Sequence, residues 1–285
     1  MQQIVERVYV EGNYYGGNVG CIVTDQGPIL IDTPMFPRDA RHWREQIAQL
    51  TSLPVLYVVN TDYNPEHILG NCFFDAPVIA HELAWEYMNN EYDGKDFRQR
   101  MANLLEPIDA DAAAEMSRIE LLIPQLTFTE RMILEKGPPS EIRLIHLGGH
   151  TPANIVVYLP DKEILFAADN VVLDTLPALT EANSKQWLRA LAAIRKMRVE
   201  VLVPGRGPLC DTEATQPLSE YIRLVRDLVR RHYQAGRSKS EMTKLIPELE
   251  DAYPVSEAER VDILSCIKTN LNQVYDEMRA RYGKK

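Results

Sequence analysis

Apolar and polar positions change period several times along this chain. Residues 4–10 (Ile-Val-Glu-Arg-Val-Tyr-Val) predict a first strand, and a loop rich in Gly, Asn and Tyr follows at 12–17. Residues 19–23 and 29–31 predict a strand pair turned by Asp25-Gln26-Gly27-Pro28. Over 38–50, Trp43, Ile47 and Leu50 keep helical spacing. Residues 55–59 form a short apolar run with the length and β-branching of a buried strand. It breaks off into Asn60-Thr61-Asp62-Tyr63-Asn64-Pro65-Glu66-His67, and the turn residues Asn64 and Pro65 predict a helix start near His67.

The second half repeats the alternation. Strands are predicted at 77–80, 126–128, 132–134 and 142–147, with helical stretches at 82–103 and 109–122. Residues 155–159 and 164–167 predict a hairpin across Pro160-Asp161-Lys162. A helix over 184–197 can be capped by Asn183 or Ser184. A last strand, 199–203, ends in Pro204-Gly205-Arg206-Gly207-Pro208. Beyond Cys210, apolar residues recur at i, i+3, i+4 and i+7, giving two or three amphipathic helices. Strands and helices alternating in two halves define an α/β chain, and periodicity alone admits more than one such fold. The expected domains are 1–210 and a helical extension, 211–285, packed on it.

Composition narrows the function. With 45% apolar residues in 285, the chain can build one large core. Its net charge of −10 and pI of about 5.2 argue against a nucleic-acid partner. The four cysteines are widely spaced with no CxxC pair, which suggests buried reduced thiols. No apolar run approaches membrane-spanning length and the first residues carry no apolar core of a signal peptide, so the expected setting is the cytoplasm, without a membrane.

The polar loop after residue 59 holds Asp62, Asn64, Glu66 and His67 at the carboxyl end of a predicted strand, where open α/β sheets place their chemistry. Thr61-Asp62-Tyr63-Asn64-Pro65-Glu66-His67, followed by Leu69-Gly70-Asn71, resembles the signature loop of the metallo-β-lactamase fold superfamily, Thr-His-x-His-x-Asp-His. Gly149-His150-Thr151-Pro152-Ala153 resembles its second motif, Ala168-Asp169 its third, and Pro204-Gly205-Arg206-Gly207 its Pro-Gly-His-Gly. Asp32 matches an Asp that supports the signature loop. The resemblance covers roughly residues 4–210. It implies a four-layer αββα sandwich with the C-terminal helices added.

The resemblance also implies metal ligands. His67, His150 and Asp169 keep the family residue. Asp62, Asn64, Glu66 and Arg206 depart from it. An oxygen-rich set suits manganese, iron or magnesium better than a three-His zinc site would. Arg206 has no lone pair for a metal, so a standard dinuclear zinc centre is not expected. The expected cofactor is one divalent ion (zinc, manganese or iron) or none. His146 could orient His150, whereas His42 has the character of an ordinary surface or core residue.

The implied activity is hydrolysis of a small-molecule ester, thioester or lactone by a metal-bound water, as in glyoxalase II or lactonases. Glu66 or Asp169 would accept a proton, and Arg206 would bind an anionic substrate or support the oxyanion. A metal-free protein that binds an anionic ligand and an iron-dependent non-hydrolytic enzyme remain alternatives. The C-terminal helices could cover the site or form a homodimer interface.

Overall fold

The computed structural model describes residues 1–92 and 94–283. The chain divides into two compact units. One comprises Met1–His146 with Ile155–Phe166, and the other comprises Leu147–Asn154 with the chain from Ala167 onward.

In the first unit, β1 (Gln2–Val5), β2 (Val8–Glu11), β3 (Val19–Thr24) and β4 (Gly27–Ile31) pair antiparallel in chain order. The single strand predicted over 4–10 is two strands, because Arg7 adopts a left-handed φ of 69° between them. Helix α1 (Pro37–Leu50) then leads to β5 (Tyr57–Val59), α2 (Pro65–Ile68), β6 (Val78–His81), α3 (Glu82–Glu91), α4 (Gly94–Leu105), α5 (Ala110–Met116) and β7 (Leu126–Phe128). β4, β5, β6 and β7 run parallel, completing a seven-stranded sheet. Parallel pairing brings the carboxyl ends of β4, β5 and β6 to one edge, where Asp32, Asn60 and His81 stand. The helix predicted over 109–122 stops at Met116. Pro124 cannot continue a helix, and Gln125 N–H instead joins Val78 O.

Two faces of that sheet are covered within the unit. Trp43 and Ile47 of α1 pack with Cys21, Leu30, Val58 and Val78 on one face. On the other lie β8 (Arg131–Leu134), β9 (Ile142–His146), β10 (Ile155–Leu159) and the start of β11 (Ile164–Val172), an antiparallel run. Gly20 of β3 makes the close approach possible, since a Cβ there would meet the Phe166 ring at 2.5 Å.

The second unit holds the rest of β11, then α6 (Ser184–Ile194), β12 (Val201–Arg206), α7 (Thr215–Gln234) and α8 (Ile263–Tyr282). β12 flanks β11 at the edge of its sheet. Both strands outrun their sequence limits. Asp169 and Asn170 look like a strand end yet are buried inside β11. Pro204 fits inside β12 because an edge strand can do without one backbone donor. α6 buries Trp187, Leu191 and Ile194, and α7 buries the apolar stripe its spacing predicted. α8 buries Ile267, Leu271, Val274 and Met278 of its predicted stripe, whereas Val261, which precedes the helix, and Leu264 are exposed. No described helix is long and apolar enough to cross a membrane.

All four cysteines are free thiols. Only Cys21 is fully buried, and Cys72 is exposed, which corrects the expectation of four buried thiols. Burial pushes the Cys21 thiol up to about 12, away from thiolate chemistry.

Candidate functional site

The first unit contributes the loop after β5. Asp32, which ends β4 at a φ of 55°, accepts Thr61 N–H at 2.8 Å and the Thr61 hydroxyl at 2.6 Å. Burial pushes the Asp32 carboxyl up to about 7, while the nearby His67 and the two Thr61 bonds pull it down. Further along, the side-chain amides of Asn60 and Asn71 bond each other, and Asn60 and Thr33 both donate to His67 O. Gly70 belongs to this brace, because a Cβ would lie 2.3 Å from Pro34 O. The Gly-Asn pair thus helps fix the chain where the short helix α2 ends.

Within the loop, Asp62 is fully buried. Its Oδ1 accepts Asn64 N–H at 2.9 Å and faces His67 Nδ1 at 2.7 Å. The carboxylate therefore closes the turn and holds the imidazole proton on Nδ1, which leaves Nε2 as the nitrogen with a lone pair. Asn64 is the N-cap residue of α2, and its carbonyl accepts His67 N–H. Helix α2 starts at Pro65, so Glu66 and His67 ride on its first turn. Glu66 is half-buried and lies against Gly16. Tyr63 stacks on Tyr87 of α3 at 3.9 Å.

The second unit contributes His150, Asp169 and Arg206. Asn170 accepts His150 N–H at 3.0 Å and donates to Gly148 O at 2.8 Å, fixing the backbone. The ring meets Trp187 edge to face at 5.3 Å. His150 Nδ1 lies 3.1 Å from Ala178 O. A carbonyl only accepts, so Nδ1 carries the proton and Nε2 faces Asp169 Oδ2 at 3.7 Å. Ala168 precedes Asp169 at a φ of 52°, a strained conformation of the kind that gathers at functional sites. Arg206 Nε lies 3.6 Å from the same Oδ2, and its side chain is one-third exposed. Gly205 permits this approach, since a Cβ would come within 2.0 Å of Asp169 Oδ1.

These residues do not fit a dinuclear metal centre. A guanidinium cation faces the Asp169 carboxylate where a second ion would need a ligand. Asp62 Oδ1 is engaged by a backbone amide and an imidazole N–H. Among the described residues, no three His, Cys, Asp or Glu side chains are grouped to hold an ion. The second unit does offer two donors side by side, His150 Nε2 and Asp169 Oδ2, a set with room for one cation or one proton.

The sequence reading passed over His81. It ends β6, stacks on His146 with ring centroids 3.7 Å apart, donates from Nε2 to Thr129 O and accepts Leu83 N–H at Nδ1. Its place at the carboxyl end of a parallel strand was the available signal. Asn170 and Ala178 were also missed, and a backbone carbonyl leaves no mark in a sequence.

The family described as the metallo-beta-lactamase superfamily matches residues 12–206. The chain belongs to that superfamily, and its fold is the superfamily's αββα sandwich with a C-terminal helical region. A linear primary-alkylsulfatase of Pseudomonas sp. is 21% identical over 242 residues, covering 73% of this chain and 44% of that protein. The chain thus spans less than half the length of this curated relative. A metallo-beta-lactamase from Pontibacter korlensis is similar in structure, with a TM-score of 0.60, 21% identity and coverage of 78% of this chain and 97% of that one. The stereoselective inverting sec-alkylsulfatase Pisa1 from Pseudomonas sp. gives a TM-score of 0.72 at 17% identity, over 99% of this chain and 50% of its own. These structural likenesses are likenesses of fold.

Proposed function

We propose that this chain is a hydrolase of small-molecule esters that carry an anionic group, working with no more than one divalent ion. The observation that carries this reading is Arg206. It is a partly exposed guanidinium held beside the Asp169 carboxylate at the end of an edge strand. A planar fork of donors suits a sulfate or carboxylate oxygen pair, and Asp169 fixes its direction. The alkylsulfatase names among the relatives make sulfate esters the first class to try, with carboxylic esters, thioesters and lactones after them.

In this reading, Arg206 binds the anionic group and orients the ester. His150, its Nδ1 proton given to Ala178 O, presents the Nε2 lone pair that takes a proton from the attacking water. Asp169 holds Arg206 and balances the imidazolium that forms. Where one divalent ion is bound, zinc, manganese or iron, it would take His150 Nε2 and Asp169 as donors in place of that proton, and it would supply Lewis-acid polarisation. In the first unit, His67 Nε2 is the nitrogen whose proton placement suits a ligand.

The test combines turnover with elemental analysis, on protein purified without a histidine tag. Arg206→Met is expected to raise KM for anionic esters by about 10- to 100-fold, the worth of a charged hydrogen bond, and to leave neutral esters near their starting rate. His150→Gln is expected to lower kcat by about 100-fold or more, the scale of general-base catalysis. An unchanged KM for anionic esters in Arg206→Met would remove the anion-binding role. Two equivalents of metal in the native protein would remove the single-ion part.

A further inference from the structure

His150 owes its tautomer to Ala178 O, and α8 holds the segment that presents this carbonyl. Asn270 of α8 is fully buried. Its Oδ1 accepts Leu179 N–H at 2.7 Å. Its Nδ2 donates to Pro177 O at 2.8 Å and to the Tyr221 hydroxyl of α7 at 3.1 Å. One amide therefore brackets Ala178 on both sides, and it is itself fixed by a second helix. The same face of α8 follows the chain onward: Gln273 donates to Ala182 O at 3.0 Å, and Glu277 accepts Ser184 N–H at 2.7 Å. Positions 270, 273 and 277 recur at helical spacing, so one face of α8 carries this whole row of bonds.

We infer that Asn270 is a positioning residue for His150: by fixing residues 177–179, it aims Ala178 O at Nδ1 and so keeps the Nε2 lone pair on the side of Asp169. The inference rests on the proposed role of His150 as the proton acceptor. A ring free to exchange tautomers would spend part of its time with Nε2 protonated, unable to accept a proton or an ion there. Asn270 touches no reacting atom, and its effect passes through two backbone bonds and one carbonyl.

The measurement is the imidazole nitrogen shifts of His150, by proton–nitrogen NMR at a pH where the ring is neutral. The His150→Gln variant supplies the assignment. The native protein is expected to show Nδ1 protonated and Nε2 bare. Asn270→Leu keeps size and removes all three bonds, and the tautomer ratio is expected to fall about tenfold, the worth of about one hydrogen bond. Asn270→Asp keeps an acceptor for Leu179 N–H and should fall between the two, and it is read if the Leu variant does not fold. Tyr221→Phe removes only the hydroxyl partner, so it should lower stability and leave the tautomer as it was. A native-like tautomer in the folded Asn270 variants would reduce Asn270 to a structural role. The spectrum needs no turnover, so a failure here leaves the hydrolase reading standing, and a chain that hydrolyses no ester can still pass.

Discussion

At the scale of single residues, the departures from the family pattern have local chemical reasons. Asp62 stands where the superfamily signature has a histidine. Its Oδ1 serves two donors at once, Asn64 N–H and His67 Nδ1. Removing it orphans a buried imidazole N–H and a part-buried backbone N–H, each at some cost of desolvation without a partner. Asp62→Ala is therefore expected to lower unfolding free energy by about 2–3 kcal/mol, since one buried and one part-buried donor lose their acceptor. Asn at 62 keeps an acceptor oxygen in the same place, so Asp62→Asn should cost about 1 kcal/mol or less. Urea unfolding of both variants reads the difference. Equal losses would mean that the charge, and not the acceptor, is what the loop needs.

At the scale of elements, His81 joins β6 to α3. Its Nδ1 caps α3 through Leu83 N–H while Nε2–H is bonded to Thr129 O, so both nitrogens are satisfied only in the neutral ring. Burial, helped by the neighbouring His146, pushes its pKa from 6.5 down to about 4. The sign follows from linkage. The unfolded chain binds a proton at His81 below pH 6.5 and the folded chain does so only near pH 4. Stability from this residue is complete above the unfolded value and is lost as pH falls from there toward 4, by about 3 kcal/mol at most. Asn is a good N-cap and does not titrate, so His81→Asn should flatten this part of the curve. Unfolding at a series of pH values between 4 and 7.5 measures it, and parallel curves for the two proteins would dismiss the role. The same scale shows how much the sequence disclosed. Helices α1, α7 and α8 were legible because a buried stripe recurs every three or four residues. The strand predicted over 164–167 runs on to Val172, because the buried interior satisfies the polar Asn170 with Gly148 O and His150 N–H. Motif positions could be named from the sequence, but the hydrogen bonds that settle which nitrogen of His67 or His150 carries the proton come from distant segments.

At the largest scale, the region past Cys210 carries no motif, yet in the second unit it is bonded to the segment that ends at α6. The clearest joint is Ser184, Arg226 and Glu277, one residue each from α6, α7 and α8. Arg226 Nη1 donates to Glu277 Oε2 at 3.0 Å and bonds the Ser184 hydroxyl, while Glu277 also accepts Ser184 N–H at 2.7 Å. The Arg226 and Glu277 side chains are only 15% and 19% exposed, so neither charge is well solvated alone. Losing one partner leaves the other charge in poor surroundings, whereas losing both removes the problem. Arg226→Met is therefore expected to cost about 2–4 kcal/mol, somewhat below a fully buried pair. In the double variant Arg226→Met with Glu277→Leu, much of that loss should return, giving a coupling of about 1–3 kcal/mol between the two positions. A denaturant-unfolding cycle on the four proteins measures the coupling. Additive losses would mean that the helices are held by their apolar stripes alone and that the charged joint adds nothing. Because α8 also carries Asn270, a coupled loss here should also loosen the brace on Ala178, visible as a change in the His150 nitrogen shifts under folding conditions.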